Sequence, residues 1–202
     1  PMDAGFDFLT TTTHKSMRGP RGGLIACKAE HGKGIDSSVF PGLQGGPHMN
    51  QVAATATTMH LVDTPEFRAY AKQVLINAKT LAAELTKQNV HLVTGGTDNH
   101  LMVLDVAQSF GINGAEGETA LDHAGITTNK QVIPDDPNPP LRPSGVRMGT
   151  PAPTTRGMKE PEMKALADVI VEALKHHKDE TRLAKLRAET KALCARFPVP
   201  GL

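Results

Sequence analysis

One lysine in this sequence lies in a setting that suits amine chemistry. The stretch FLTTTTHKSMRGPRGG, residues 8–23, places Lys15 directly before a turn rich in glycine and arginine. A lysine that attacks a carbonyl must be neutral part of the time, and burial or neighbouring cations favour its neutral form. His14, Arg18 and Arg21 could supply such a cationic field, and the same cations could hold an anionic cofactor. The residues alone leave open a Schiff-base lysine or a solvated surface lysine.

Two glycines before a proline indicate a second candidate site. In QGGPHMN, Gly45 and Gly46 precede Pro47, a residue that suits the first position of a helix. Backbone N–H groups at a helix N-terminus favour phosphate, so this stretch could bind the phosphate of a ligand. A loop that simply turns before a helix is the alternative interpretation.

An arginine between two glycines is the third candidate. Arg147 lies in SGVRMGTP, between Gly145 and Gly149, and we expect it on a short, buried strand edge. A buried arginine requires a carboxylate and can bind one through two parallel hydrogen bonds. That carboxylate could belong to a ligand or to an acidic side chain of the protein such as Asp105.

The remaining polar residues give weaker signals. The nine histidines show no metal-ligand spacing, so we expect no metal site. Asp135 and Asp136 lie in a proline-rich loop, where carboxylates hold turns more often than they act as a catalytic pair. The sequence contains no dinucleotide-binding fingerprint, P-loop or nucleophile elbow.

Composition narrows the class of protein. The chain has 202 residues, of which 39% are hydrophobic and 21% charged, and this suits one large domain or parts of two. A net charge of +1 argues against a broad nucleic-acid surface. Cys27 and Cys194 lie far apart and favour a reducing compartment, so we expect a cytoplasmic protein. No apolar run is long enough to span a bilayer and no signal-peptide pattern opens the chain, so no membrane partner is expected.

The first two candidates depend on the elements of the N-terminal third. Around the lysine turn we expect two strands, over 6–13 and 22–28, followed by an irregular stretch over 29–45. A helix is predicted over 47–61. A stronger helix follows, capped by Thr64 and carrying apolar residues at helical spacing.

The rest of the chain predicts a smaller unit. Strands are expected in VHLVTGG and HLMVLDV, and helices in a segment that ends at Gly125, over 162–177 and over 179–196. Five prolines in TTNKQVIPDDPNPPLRPSG exclude a regular helix or a central strand there. Strands followed by helices, and then a small αβ unit, predict an α/β protein that ends in a smaller domain.

Five stretches together resemble a known family. TTTTHKSMRGPRGG, IDSSVFPGLQGGPHM, TGGTDNHLMVLDV, AGITTNKQVIPDDP and SGVRMGTPAPTTRG resemble, in this order, segments of the serine hydroxymethyltransferase (glycine hydroxymethyltransferase) family. The resemblance runs from about Asp7 to the C-terminal helix. It implies an α/β, pyridoxal-phosphate-dependent aminotransferase-like fold of type I. The end of the large cofactor-binding domain would span 1–78, and the small C-terminal α/β domain would span 79–202.

The resemblance also implies roles for residues near the cofactor, pyridoxal 5′-phosphate. Lys15 looks like the lysine that binds the cofactor covalently. His14 looks like the neighbouring residue that helps to set substrate and reaction specificity. Thr12 matches a threonine near the cofactor, and Arg21 matches an arginine of the active-site wall. The implied catalytic residues are therefore Lys15, His14 and Thr12.

Further roles implied by the resemblance concern phosphate, substrate and folate. Gly45 and Gly46 match backbone donors to the cofactor phosphate of the neighbouring subunit, which implies a homodimer or higher oligomer with shared sites. Arg147 looks like the arginine that binds the carboxylate of the amino acid. Gln131 matches a residue near the folate, although many members have Asn there. The stretch that would contact folate is Pro139, Pro140 and Leu141, in place of the more usual Ser-Pro-aromatic pattern.

The implied reaction transfers a one-carbon unit from serine to tetrahydrofolate and gives glycine and methylenetetrahydrofolate. The part of the family that precedes the lysine strand, which holds the general base and the partner of the pyridine nitrogen, has no counterpart here. We therefore expect the C-terminal half of an enzyme, as a fragment, a split-gene product or a truncated gene. Gln131 leaves open a related threonine-type aldolase, and a non-catalytic dimerisation module is the third hypothesis.

Overall fold

The structure is a mixed α/β arrangement built from two compact units. The computed structural model describes residues 2–201. It divides into Pro1–Arg68, here called unit 1, and Ala69–Leu202, here called unit 2. The division falls inside the long helix Pro65–Lys87, and so does the predicted domain boundary after residue 78, which stays a prediction.

Unit 1 contains the two strands predicted around the lysine turn. β1 (Phe8–Thr12) and β2 (Gly23–Cys27) pair in antiparallel fashion, so that Thr12 lies opposite Gly23. Both are shorter than predicted. A run of β-branched and apolar residues on each side of a glycine turn is typical of such a hairpin.

The segment after β2 is more regular than predicted. Short helical turns fill it: a 3-10 turn at Ala29–His31, helix α1 at Gly32–Ser37 and a π-type turn at Ser38–Leu43. The prediction of an irregular stretch over 29–45 is therefore wrong for most of it. Glycine and proline disfavour long helices, but single turns tolerate them, and single turns give no periodicity to detect.

Two longer helices complete unit 1 and lead into unit 2. Helix α2 (Met49–Val62) begins two residues later than predicted, because His48 has an extended backbone and occupies the N-cap position. Helix α3 (Pro65–Lys87) begins as predicted, with Pro65 at its start. The backbone N–H of Phe67 donates to Thr64 Oγ1 at 3.3 Å, which confirms the predicted cap.

Unit 2 is organised around a three-stranded antiparallel sheet. Its strands are β3 (Leu101–Asp105), β4 (Asn129–Gln131) and β5 (Gly145–Gly149), in the order β3-β5-β4. The strand predicted in VHLVTGG is wrong, because only Leu92 forms a bridge, to Leu104. The chain turns directly afterwards at Gly95, whose φ of 69° lies in the left-handed region.

Helices lie between and after the strands of this sheet in the chain. They are α4 (Val106–Phe110), α5 (Gly114–His123), α6 (Pro151–Thr155), α7 (Glu160–Lys175) and α8 (Glu180–Ala195). The helix predicted to end at Gly125 and the two C-terminal helices are confirmed, the latter with starts within two residues of the prediction. A capping box between Asn113 and Glu116 fixes the start of α5.

The hydrophobic core lies in unit 2. Leucines from α3, β3, α5, α7 and α8 are almost fully buried: Leu85, Leu104, Leu121, Leu174 and Leu186. In residues 2–68, the only buried side chains are those of Thr13 and Thr58. In residues 2–201, no helix has the length and apolar character needed to cross a membrane.

Candidate functional site

The candidate residues fall into two groups, and a buried threonine organises the first. The Thr13 side chain is only 1% exposed, and its Oγ1 donates to Pro20 O at 2.6 Å. Its backbone N–H donates to Gly22 O at 3.1 Å, and Gly19 N–H donates to Thr13 O at 2.8 Å. These three hydrogen bonds close the neck of the loop between β1 and β2, here called the lysine loop (residues 13–22).

The lysine loop also requires glycine at position 19. A Cβ there would lie 2.7 Å from Thr58 Oγ1 and 2.8 Å from Thr13 O, closer than real Cβ contacts allow. Thr58 is buried on helix α2, so the helix and the loop meet at the glycine. Any larger residue would move the loop away from α2.

Lys15 lies in a tight turn within this closed loop. Arg18 N–H donates to Lys15 O at 2.9 Å, and Arg18 itself has a left-handed φ of 58°. The Lys15 side chain is exposed. In residues 2–201 its amine has neither a hydrogen-bond acceptor nor an ion-pair partner, so the amine is available to a ligand.

His14 and Arg21 lie close together at the edge of the loop. Gly22 N–H donates to His14 Nδ1 at 3.3 Å, and Arg21 Nη1 lies 3.4 Å from His14 Nε2. Because Nδ1 accepts this hydrogen bond, the ring proton of a neutral imidazole would lie on Nε2, and Nε2 could then not accept a hydrogen bond from Arg21. No carboxylate in the described part of the chain pairs with Arg21. Its charge is therefore not neutralised by a carboxylate of residues 2–201.

The remaining residues predicted near the cofactor are more loosely placed. Thr12 ends β1 and is half-buried. Gly45 and Gly46 are exposed, and a Cβ on either would meet nothing within 4 Å. Their N–H groups have no acceptor in residues 2–201, but α2 begins only at Met49. The predicted helix N-terminus at Pro47 is therefore wrong, and the glycines offer loop donors instead.

The second group lies on the exposed face of the sheet in unit 2. The expectation that Arg147 is buried at a strand edge is wrong, because β5 is the central strand and Arg147 is exposed. Val146 and Met148 point into the core, so the residue between them must point the other way. Asp105, considered as its partner, instead accepts from Gln108 N–H at 2.9 Å and caps α4.

Register brings Arg147 and Gln131 onto one face. Arg147 lies opposite Asn129, and Gln131 lies opposite Gly145, so all four share the same side of the sheet. Arg147 Nε donates to Asn129 Oδ1 at 3.1 Å. The Gln131 amide donates to Val132 O at 3.1 Å. The face therefore presents a guanidinium and an amide beside a position that has no side chain.

The predicted folate stretch forms the exposed tip of a loop held by one carboxylate. Leu141 is 81% exposed, and Arg142 N–H donates to Pro139 O at 2.8 Å to make a turn that includes Pro140. Asp136 accepts hydrogen bonds from the backbone of Ile133, Asn138 and Ser144 and from the Ser144 hydroxyl. The interpretation of this aspartate as a turn residue is confirmed.

The pKa of Asp136 reflects this role. Partial burial alone would raise its pKa, but the hydrogen bonds from Ser144, Asn138 and Ile133 together outweigh burial and lower it to about 2. The carboxylate therefore stays charged at neutral pH, as a structural acceptor. In residues 2–201 no group of three or more His, Cys, Asp or Glu side chains could hold a metal ion.

Sequence reasoning missed three residues that shape these groups: Thr13, Thr58 and Asn129. The burial of Thr13 and Thr58 depends on an approach between loop and helix that leaves no local pattern. Asn129 could have been found, because it lies two residues before Gln131 and residues at that spacing share one face of a strand.

Comparison with known proteins agrees with the motifs of both groups. The family model described as "Serine hydroxymethyltransferase" matches residues 2–170. A curated protein named "Serine hydroxymethyltransferase" from Acidobacterium capsulatum is 51% identical over 193 residues, which cover 96% of this chain and 45% of that protein. The chain thus spans about half the length of this relative. It belongs to the serine hydroxymethyltransferase family and has the type I, aminotransferase-like α/β fold of that family.

Proposed function

We propose that this chain takes part in pyridoxal-phosphate-dependent transfer of a one-carbon unit between serine and tetrahydrofolate, giving glycine and methylenetetrahydrofolate. The observation that carries the proposal is the lysine loop, which is closed at its neck and displays an unpaired amine. Identity of 51% to a protein named for this activity supports it.

The described residues fit pyridoxal 5′-phosphate. The Lys15 amine is exposed and unpaired, as covalent attachment of an aldehyde requires. Arg21 and His14 would line the site, with Thr12 at the end of β1. The unpaired N–H groups of Gly45 and Gly46 would donate to the phosphate, across a subunit boundary in a homodimer or higher oligomer. When bound, this cofactor supplies an electron sink.

The exposed sheet face of unit 2 fits an amino acid. Arg147 would bind the substrate carboxylate, because a guanidinium offers paired donors in a fixed geometry. That anchor would orient the bonds at Cα of the substrate.

The loop beside that face would bind the folate. Gln131 would offer its amide, and Pro139, Pro140 and Leu141 an exposed apolar surface. Small-molecule sites are commonly lined by apolar side chains with a few polar groups such as amides. The Asp136 hydrogen bonds would keep this loop in shape without contacting the ligand.

We further propose a cytoplasmic protein that acts in one-carbon metabolism, serine–glycine interconversion and amino-acid biosynthesis. Two free cysteines support a reducing compartment, and a net charge of +1 supports a protein without a nucleic-acid partner. No membrane partner is proposed.

A reductive trap tests the proposal. The purified chain is incubated with pyridoxal 5′-phosphate, reduced with borohydride and digested, and the modified lysine is located by mass spectrometry. We expect one stoichiometric adduct, on Lys15, that is lost in Lys15→Ala. The matched control is Lys28→Ala, because Lys28 is another exposed lysine of unit 1 but is paired with Asp7.

The outcomes separate the hypotheses. An adduct confined to Lys15, followed by release of glycine from serine that depends on tetrahydrofolate, supports the full proposal. Labelling of Lys15 with serine cleavage independent of folate would indicate a threonine-type aldolase. Labelling scattered over many lysines, equal in the wild type and in Lys15→Ala, would contradict a cofactor site in this chain.

A further inference from the structure

Within residues 2–201, the hydrogen-bond partner of the Arg147 guanidinium is the side chain of Asn129. Arg147 Nε donates to Asn129 Oδ1 at 3.1 Å, and the two residues lie directly opposite each other on β5 and β4. Across residues 2–201, neither Nη group of Arg147 has a hydrogen-bond acceptor. One edge of the guanidinium is therefore occupied and its outer end is open.

This arrangement restricts how a carboxylate can approach. A guanidinium can bind a carboxylate through its side, by Nε and one Nη, or through its end, by the two Nη groups. Asn129 occupies Nε, so only the end-on approach keeps two parallel hydrogen bonds. The amide is neutral, so it orients the guanidinium without cancelling its charge.

Asn129 is itself fixed in place. Its Nδ2 donates to Lys130 O at 2.9 Å, which leaves Oδ1 to face Arg147. The next side chain, Lys130, lies on the opposite face of the sheet and pairs with Glu118 of α5 at 3.6 Å. The strand is thus attached to its helix on one side while it presents the amide on the other.

We propose that Asn129 is a positioning residue for Arg147, which holds the guanidinium so that its two Nη groups receive the carboxylate of an amino acid end-on. The inference rests on the carboxylate-binding role proposed for Arg147. It adds a residue outside the predicted site, and it specifies the geometry of approach.

The first test reads the position of the guanidinium without any ligand or activity. Exchange of the Arg147 Nε–H with solvent is measured by NMR on the isotope-labelled full chain, and the resonance is assigned by its loss in Arg147→Lys. We expect exchange to rise about tenfold in Asn129→Ala, the amount that one lost hydrogen bond predicts. Lys130→Met, which alters the same strand on its opposite face, should leave this exchange unchanged.

The second test reads the open end of the guanidinium. Glycine and glycinamide, which differ only in the carboxylate, are titrated while the same resonance is followed. We expect the wild type to bind glycine more tightly than glycinamide. In Asn129→Ala we expect this ratio of affinities to fall about tenfold. Asn129→Asp should keep Nε protected yet lose the preference for glycine, because its charge neutralises the guanidinium. If Asn129 only stabilised the fold, Asn129→Asp would change the exchange of Nε–H and the preference for glycine together.

Three outcomes of these tests would overturn the inference. Unchanged exchange in Asn129→Ala would overturn the positioning role. Faster exchange with an unchanged preference for glycine would also overturn it, while the proposed role of Arg147 would stand. A wild type that does not distinguish glycine from glycinamide would overturn the carboxylate role of Arg147 and the inference together.

Discussion

The two units reach their local geometry by different means. In unit 2 the Arg147 face is the outer side of a sheet whose inner side is buried, with Leu104 and Val146 both 0% exposed. In unit 1 the lysine loop is built on a two-stranded sheet with no buried hydrophobic side chain in residues 2–68. Hydrogen bonds around one buried threonine hold that loop instead.

The strands of unit 1 carry apolar side chains on both faces, as is typical of strands that lie between other elements. Phe8 and Ile25 point to one face, and Leu9, Leu24 and Ala26 point to the other, yet none of them is buried. Apolar residues on both faces are typical of strands covered on both sides, and a lone two-stranded sheet is marginally stable. The strand that carries Arg147 is therefore held by packing of its inner face, whereas the loop that carries Lys15 is held by polar contacts.

Removing a core side chain should give the largest effect. We expect Leu104→Ala to lower the free energy of unfolding by about 2–5 kcal/mol, because it leaves a cavity beneath the Arg147 face. Urea unfolding followed by circular dichroism measures it. The matched change in unit 1 is Ile25→Ala, at a side chain that is 45% exposed.

The Ile25→Ala variant tests whether the hairpin of unit 1 is exposed in solution. We expect it to cost about 0.5 kcal/mol or less, as partly exposed positions usually do. A loss equal to that of Leu104→Ala would mean that the hairpin is covered in solution, and the contrast between the units would then fail.

Loosening the neck of the lysine loop should have a smaller and local effect. Thr13→Val keeps the shape of the side chain but removes the hydrogen bond to Pro20 O. We expect hydrogen exchange of the Gly19 amide to rise about tenfold, which corresponds to one lost hydrogen bond. Thr13→Ser retains the hydroxyl and should leave exchange nearly unchanged. Equal exchange in both variants would show that backbone contacts alone close the loop.

The sequence alone predicted features that are encoded locally. The hairpin around Lys15, the cap at Thr64 and the turn role of Asp136 depend on residues a few positions apart. Local patterns around Arg147 and Gly45 indicated only a carboxylate or a phosphate as ligand, and the family resemblance supplied the more specific roles predicted for them.

Features that depend on distant contacts were not predictable in this way. The exposure of Arg147 depends on which face of β5 the helices cover, and alternation alone gives the same pattern for either choice. The burial of Thr13 depends on Gly19 meeting a helix that begins thirty residues later along the chain. Asn129 gains its role only through the register of β4 against β5.

Acid should loosen the loop that Asp136 holds, directly before β5, at a higher pH than it affects the hydrophobic core. The pKa of Asp136 is lowered from 3.8 to about 2, so its charged form stabilises the fold above the unfolded value. That stabilisation is lost as pH falls from 3.8 towards about 2. Hydrogen exchange of the Ser144 amide across this range measures the loss.

In Asp136→Asn we expect the Ser144 amide to exchange faster already at neutral pH. Its protection should then no longer fall between pH 3.8 and about 2. Asp135→Asn is the matched control, because Asn tolerates the left-handed φ of 53° found there. If Asp136→Asn kept both the protection of Ser144 and its acid dependence, another group would hold the loop.

Ion pairs should give the smallest difference between the units. Glu172 accepts a hydrogen bond from Arg182 at 2.7 Å, and this bond, followed by partial burial and the charge of Arg182, leaves the pKa of Glu172 below 4.5. Its stabilisation is therefore present above pH 4.5 and lost below it. Arg182→Met should lower the urea midpoint at neutral pH, with the difference vanishing in acid.

The corresponding pair in unit 1 should contribute less. Lys28 and Asp7 are about half exposed, so solvent and salt screen their attraction, and Lys28→Met should leave the urea midpoint unchanged. This expectation follows from the same contrast as the larger effects. In unit 2 the charge pair lies on a surface that packing has already ordered. In the exposed hairpin of unit 1 both partners can return to water, so losing the pair costs little free energy of unfolding. A clear shift in Lys28→Met would show that the hairpin depends on this pair, and polar contacts of unit 1 beyond the lysine loop would then be structural as well.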